Sequence, residues 1–207
     1  YTKDGSKPNI NSNVYKAPFV MDRSCKMAAR VITRDDVEGF VTYRKCHVPV
    51  IDKIIYHTLP HKRYYGESLS LADGEIGIAG DWGKNWIGFQ GESFEVTAKL
   101  VKTIHIDSVN VGFMRAQWAH IFLPYSVELL TSMDGEKFIS QGNYINPVSP
   151  DVRNDDGLRI EYSVNLQNSI EAKYIKLIIK PLLQCPSWHG GAGSNAWMFL
   201  DEITIGY

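Results

Sequence analysis

The feature that most constrains this chain is the strict alternation of apolar and polar side chains over residues 94–100. Apolar residues occupy every second position from Phe94 to Leu100, and polar or charged residues fill the positions between them. This period of two is typical of a β-strand that buries one face. The alternation changes phase at Asp107-Ser108, which predicts a bulge or a turn there.

The rest of the chain follows the same pattern of short strands and sharp turns. Further β-rich runs cover residues 126–131, 158–166, 174–180 and 199–205, and Asp-Gly pairs occur at residues 4–5, 73–74, 134–135 and 156–157. No window of ten or more residues has an apolar stripe at helical spacing. We therefore predict an all-β fold of the sandwich or jelly-roll class with almost no helix. The composition changes near residue 50, which predicts domains over residues 1–50 and 51–207.

Charge and apolar run length exclude several functions. The chain has 22 basic and 23 acidic residues, so nothing in its charge favours nucleic acid or an anionic membrane as the main partner. Its apolar runs are far shorter than the roughly 20 residues that a membrane-spanning helix needs.

Catalytic motifs are absent from the sequence. It has no nucleophile elbow, no His-Glu-x-x-His motif and no phosphate loop. The pairs Asp35-Asp36 and Asp155-Asp156 are typical of turns. Asp201-Glu202 lies in a predicted strand, where neighbours point to opposite faces and cannot flank one bond. We therefore expect no catalytic residues in this chain.

The three cysteines, Cys25, Cys46 and Cys185, match neither a disulfide framework nor a zinc motif. A hairpin that turns at Asp35-Asp36 places Cys25 opposite Cys46. The sequence leaves open whether these two are free thiols or a cross-strand bridge.

The N-terminal segment carries a series of short motifs. Residues 1–8 read Tyr-Thr-Lys-Asp-Gly-Ser-Lys-Pro, and Tyr15, Pro18-Phe19 and a strand over residues 25–32 follow. This order resembles the small β-sandwich module that follows the catalytic barrel of chitobiases and β-hexosaminidases. The first strands of that module usually precede the Tyr-Thr motif, so we expect a truncated chitobiase C-terminal β-module here.

Residues 52–207 resemble a discoidin-type domain, also called F5/8 type C, galactose-binding-like or family 32 carbohydrate-binding. The resemblance rests on motifs at residues 71–74, 86–89, 121–124, 132–135, 174–176 and 201–203, in that order. The version is similar to the one appended to bacterial family 20 glycoside hydrolases, in which Cys-Pro-x-Trp-His-x-Gly-Ala-Gly precedes the last strand. Here residues 185–193 read Cys-Pro-Ser-Trp-His-Gly-Gly-Ala-Gly. The resemblance implies a parent β-N-acetylhexosaminidase with its catalytic domain upstream, in the periplasm, at the cell surface or secreted.

Two loops carry the residues that are suited to sugars. An exposed aromatic ring covers the apolar face of a sugar, while Arg, His and Asn bond its hydroxyls. The candidates are Arg115, Trp118 and His120 in one loop, and Trp188, His189 and Asn195 in the glycine-rich loop. The alternative for each tryptophan is packing, and we assign Trp82, Trp86 and Phe89 to packing.

The resemblance also implies one structural calcium ion between an Asp-Gly loop and a Glu on the last strand. The matching positions are the Asp73 and Glu202 side chains, with Leu71, Glu75 and Gly77 offering backbone carbonyls. The alternative is a plain Asp-Gly turn with Glu202 making hydrogen bonds. Glu75-Ile76-Gly77 departs from the usual family pattern at the middle ligands.

The leading functional prediction is a non-catalytic module that binds galactose, N-acetylgalactosamine or N-acetylglucosamine glycans and targets a glycosidase to them. A second possibility is a structural module that stabilises the catalytic barrel, and it predicts that Trp118 and Trp188 are buried. A third is a discoidin domain that binds protein.

Overall fold

The computed structural model describes residues 1–33, 37–67, 70–81 and 85–207. The predicted turn at Asp35-Asp36 and the predicted packing of Trp82 lie outside these residues. The described chain forms nine strands: Cys25–Ala29 (β1), Thr42–Cys46 (β2), Ile51–Tyr56 (β3), Ile87–Gln90 (β4), Phe94–Arg115 (β5), Ser126–Ser132 (β6), Ile139–Ile145 (β7), Leu158–Lys180 (β8) and Trp197–Gly206 (β9). The all-β prediction is confirmed, since one 3-10 turn at Gln117–Ala119 is the only helical element described. No helix among the described residues is long and apolar enough to cross a membrane.

The chain divides into two compact units, Tyr1–Pro49 and Val50–Tyr207. In the first unit, β1 and β2 pair antiparallel, with Cys25 opposite Cys46. The N-terminal segment joins the other edge of β1 through two hydrogen bonds between the backbones of Thr2 and Ala28. The buried apolar side chains among the described residues of this unit are those of Pro8 and Ala28.

The second unit is an antiparallel β-sandwich built around two long strands. β5 and β8 pair from Phe94↔Ile179 to Arg115↔Leu158, with register shifts between Lys99 and Ile104 and between Ile106 and Ser108. The first part of β5 pairs with β3, and the facing part of β8 pairs with β6, which in turn pairs with β7. The second part of β5 pairs with β9, which pairs with β4. The shift between Ile106 and Ser108 lies at the predicted change of phase.

The core lies between the two layers because the alternating faces of the strands meet there. Along β5, the apolar positions from Phe94 to Leu100 are all buried, as their period predicts. Phe113 of β5 and Tyr162 of β8 pack with ring centroids 5.0 Å apart. Trp86 and Phe89 are buried, in agreement with their assignment to packing.

β9 departs from regular alternation at Asp201-Glu202. Val111 pairs with Ile203 and Phe113 with Leu200, so that both acidic residues face the single residue Gly112. A bulge of this kind puts two successive side chains on related sides of a strand. Asp201 Oδ2 accepts a hydrogen bond from Gly77 N at 2.9 Å and Glu202 Oε1 from Gly74 N at 3.0 Å. The expectation that the two carboxylates point to opposite faces is therefore wrong, because both reach the same loop.

The topology gathers three loops at one end of the sandwich. The end of β5 lies beside the start of β8, at Arg115↔Leu158, and close to the start of β9, at Phe113↔Leu200. The connections over residues 116–125, 146–157 and 181–196 therefore meet there.

Candidate functional site

An open depression lies where these three loops meet. It offers about 360 Å³ of space, within the range of roughly 300–1,000 Å³ that small-molecule sites occupy. Its lining is Gln117, Trp118, His120, Arg153, Asp155, Trp188, His189, Gly190 and Gly191. Four of the six predicted sugar-binding residues, Trp118, His120, Trp188 and His189, are thus brought together.

Gln117 holds the three loops in place. Its side-chain amide nitrogen donates to the carbonyl of Val152 at 2.9 Å and to that of Pro150 at 3.3 Å. Its amide oxygen accepts from Asn154 N at 2.6 Å, and its backbone carbonyl lies 2.7 Å from His189 Nε2. The side chain is 4% exposed, so these bonds are shielded from water. This role has no local sequence signal, because the partners of the Gln117 side chain all lie more than thirty residues away.

The two loop tryptophans are exposed. Trp118 is 55% exposed and Trp188 is 39% exposed. The Trp188 indole N–H donates to the carbonyl of Asp151, which anchors the ring, and the six-membered edge of Trp118 rests against Gly157. Each ring is therefore positioned by a loop contact while it keeps a solvent-facing surface.

Arg153 and Asp155 add charged groups to the depression that the sequence analysis did not select. Arg153 Nε donates to Asp155 Oδ1 at 3.1 Å, and both side chains are more than two-thirds exposed. A guanidinium and a carboxylate offer many donors and acceptors for hydroxyl groups. Their loop looked like an ordinary polar turn, and only the fold brings it beside Trp118.

Two predicted residues lie elsewhere. Arg115 pairs with Asp156 at 2.5 Å, and its mostly buried side chain lines a neighbouring cleft with Tyr144 and Tyr162. The side chain of Asn195 packs against Gly91 at the turn between β4 and β5. Both residues lie at or near the ends of strands, where successive side chains point in different directions. Neither side chain therefore lines the depression, although each residue lies in or next to a loop that does.

The depression combines apolar ring surface with hydrogen-bonding groups. The indoles of Trp118 and Trp188 present flat apolar faces, whereas His120, Arg153 and Asp155 present polar atoms. A ligand with an apolar face and a polar edge matches this arrangement. The open, shallow form suits a chain end or a side branch of a larger molecule.

The predicted calcium loop lies against β9. Ile203 N donates to the Leu71 carbonyl at 2.7 Å, and Glu75 N donates to Asp73 Oδ1 at 2.8 Å. Together with the bond from Gly74 N, these contacts bring the Asp73 turn beside the buried Glu202 carboxylate. Carboxylates and backbone carbonyls are the ligands that calcium prefers, so the donor set fits this ion. The backbone N–H groups of Glu75 and Gly77 donate hydrogen bonds to the carboxylates of Asp73 and Asp201, respectively.

Comparison with known proteins gives one family and a group of structures. A family model described as Fn3 associated matches residues 1–44. A search of curated protein sequences finds no match. A carbohydrate-binding module of Clostridium perfringens in complex with GalNAc-β-1,3-galactose is 16% identical, with a TM-score of 0.45 over 75% of this chain and 94% of that one.

Two further similar structures come from other sources. The C-terminal domain of a Bacteroides fragilis chitobiase is 16% identical, with a TM-score of 0.43 over 75% of this chain and 94% of that one. A fucolectin from striped bass serum is 14% identical, with a TM-score of 0.49 over 75% of this chain and 46% of that one.

Proposed function

We propose that the unit Val50–Tyr207 binds carbohydrate in the depression between its three loops. The observation that carries the proposal is the exposure of both Trp118 and Trp188 on one concave surface. A tryptophan in a two-layer β-protein is ordinarily packed, and exposing two of them costs the burial of their apolar area. Stacking on the apolar face of a sugar recovers that area.

The surroundings of the rings support binding over a purely structural role. The structural alternative predicts buried tryptophans, whereas here 55% of Trp118 and 39% of Trp188 remain exposed. The rings are fixed by loop contacts, so little conformational entropy is lost when a ligand stacks on them. A protein-binding role has less support, because the depression is concave and polar at its rim.

The wider role follows from the resemblance in the sequence. We propose that the chain is a non-catalytic accessory region of a secreted or cell-surface glycosidase of the β-N-acetylhexosaminidase type. A shallow single site binds at about millimolar strength, or roughly −4 kcal/mol. Tethering to a catalytic domain makes such a weak site useful. Once one of the two is bound to a glycan, the other meets that glycan at a high effective concentration.

We also propose that the Asp73 loop and Glu202 hold one calcium ion with a structural role. The support is the chemistry of the donors and the contact between the loop and β9. The ion would fix the loop to the terminal strand. The backbone N–H groups of Gly74 and Gly77 make the same connection by donating hydrogen bonds to Glu202 and Asp201 of β9.

Carbohydrate binding is tested by titrating the chain with galactose, GalNAc and GlcNAc oligosaccharides while tryptophan fluorescence is followed. A glycan array first selects the oligosaccharide. We expect saturable quenching that Trp118→Ala and Trp188→Ala each weaken by about tenfold, in line with the loss of one stacked ring. Phe40→Ala is the control, because that fully exposed ring lies in the other unit and its loss should leave the titration unchanged. A chain that gives no response to any glycan would refute the proposal.

A further inference from the structure

Two histidines and a cysteine converge at the base of the loop cluster. His120 follows the 3-10 turn after β5, while Cys185 and His189 lie in the glycine-rich connection before β9. One ligand atom from each, an imidazole nitrogen or the thiol sulfur, can be chosen so that all three lie within 4.8 Å of one another. The sequence placed the two histidines at a sugar site and gave Cys185 no role.

His189 has the orientation that is typical of a histidine that binds a metal ion. Its Nε2 lies 2.7 Å from the Gln117 carbonyl, an acceptor, so this nitrogen carries the proton and donates. The lone pair is then on Nδ1, where Gly191 N donates to it at 3.0 Å. Metal-binding histidines commonly use one nitrogen for the ion and donate the other N–H to a backbone carbonyl, as His189 does to Gln117.

The segment next to this lone pair borders open space on one side. Gly190 has no heavy atom within 4 Å of the position that a β-carbon would take. Gly191 by contrast lies against Nε2 and Cδ2 of His120. A metal ion at His189 Nδ1 would have to replace the Gly191 N–H as the partner of this lone pair.

Cys185 supplies the third ligand from the protein side. The residue is 4% exposed and packs with Phe122 and Ala196. The Ser194 hydroxyl, which donates to the Gly191 carbonyl at 2.6 Å, lies 3.7 Å from the Cys185 sulfur. His120 and His189 are half-buried and line the depression, so an ion can enter from that side.

We propose that His120, Cys185 and His189 bind one zinc ion with three protein ligands. One thiolate and two imidazoles are the ligands that zinc takes, and hard cations such as calcium prefer oxygen. Binding releases the thiol proton of Cys185. The fourth position of a tetrahedral ion would face the depression and hold water.

This metal site is separable from the sugar site. Trp118 and Trp188 offer no metal ligand, and Cys185 does not line the depression. Trp188→Ala should therefore weaken glycan binding and leave metal binding intact. Cys185→Ser should abolish metal binding and leave glycan binding intact, provided that glycan binding is measured without added metal.

Cobalt is the spectroscopic probe for the test. We expect the full chain to bind one equivalent of Co²⁺ with tetrahedral d–d bands and a thiolate-to-cobalt charge-transfer band, and Zn²⁺ to displace it. Cys185→Ser should abolish the charge-transfer band. His120→Gln, a change at a half-buried position, should weaken cobalt binding by about tenfold or more. The double variant Cys25→Ser/Cys46→Ser should keep the full spectrum, which excludes the other two thiols.

A pair of glycine variants checks the location independently of the ligands. Gly191→Ala places a methyl group against the His120 ring and should weaken cobalt binding, whereas Gly190→Ala extends into open space and should not. The proposal is overturned if the charge-transfer band survives in Cys185→Ser, or if the folded full chain binds no Co²⁺ at micromolar concentrations.

Discussion

Arg159 and Asp201 form a two-pronged ion pair across Gly112, a residue that has no side chain to separate them. Arg159 Nε lies 2.5 Å from Asp201 Oδ2, and Arg159 Nη2 lies 3.2 Å from Asp201 Oδ1. The Asp201 side chain is fully buried. Burial by itself lowers the pKa of Arg159, but the hydrogen bond and charge of Asp201 raise it by more, so that the net shift is upward.

Breaking this ion pair should strongly destabilise the fold. Arg159→Ala leaves a buried carboxylate without its cation, and we expect it to lower the free energy of unfolding by about 3 kcal/mol. Gly112→Ala should destabilise as well, since a methyl group there would overlap both charged groups. Arg153→Ala removes an exposed pair and should change stability by less than about 1 kcal/mol. Urea unfolding measures all three, and an Arg159→Ala loss no larger than that of Arg153→Ala would contradict the assignment.

Two tyrosines with buried hydroxyl groups should respond oppositely to loss of the hydroxyl. The Tyr56 hydroxyl is buried with no hydrogen-bond partner among the described residues, so Tyr56→Phe should stabilise by about 1 kcal/mol. The Tyr162 hydroxyl donates to the Pro124 carbonyl at 3.2 Å, so Tyr162→Phe should destabilise by a similar amount. Thermal unfolding of the two variants measures the difference.

Tyr56 should also make the stability of the protein depend on pH in the alkaline range. Burial raises the pKa of Tyr56 from 10.0 to about 12. The pKa is higher in the folded state, so ionisation of the tyrosine favours the unfolded state. The contribution of Tyr56 to the free energy of unfolding is fully present below pH 10 and is lost as the pH rises towards 12. Stability of Tyr56→Phe should therefore fall less steeply than that of the wild-type chain over this window. Parallel pH profiles would count against the burial of Tyr56.

The amide of Gln117 should control the form of the depression. Gln117→Glu keeps the shape but replaces two donated hydrogen bonds with a carboxylate facing the carbonyls of Pro150 and Val152. We expect a loss of about 2 kcal/mol in stability and weaker glycan binding. Gln141→Glu is the control, because the Gln141 amide also donates two bonds, but at a site that water reaches. Equal effects of the two changes would argue against a special role for Gln117.

Calcium should stabilise the second unit if the Asp73 loop binds it. We expect a chelator to lower the melting temperature and added Ca²⁺ to restore it, because an ion that binds only the folded state shifts the unfolding equilibrium. Glu202→Gln should abolish the response. Scanning calorimetry with EDTA and with Ca²⁺ measures this, and a melting temperature that is indifferent to both would rule out the ion.

Cys25 and Cys46 should form a disulfide under oxidising conditions, because they face each other across β1 and β2. Burial and the neighbouring Cys46 raise the pKa of the Cys25 thiol, so the reaction should speed up as the pH rises. With oxidised glutathione as the electron acceptor, each thiol loses one hydrogen and two molecules of glutathione are released. Mass spectrometry should show a loss of two hydrogens that Cys46→Ser prevents. A permanent glutathione adduct on Cys25 of the intact pair would contradict the prediction.

The local pattern of the sequence determined the strands. Alternation from Phe94 to Leu100 predicted a buried strand face, since side chains of a strand alternate whatever its neighbours are. The change of phase at Asp107-Ser108 predicted an irregularity that the pairing of β5 confirms. The loops that hold Trp118 and Trp188 were found in the same way, from what interrupts the alternation.

The tertiary structure decided which loop residues meet. It brought Arg153 and Asp155 to the tryptophans, turned Arg115 toward Asp156, and placed Cys185 with the two histidines. It also put Asp201 and Glu202 against one loop through a bulge. None of these results follows from a local period, because each depends on strand register and loop path, which are set by contacts between residues far apart in the chain.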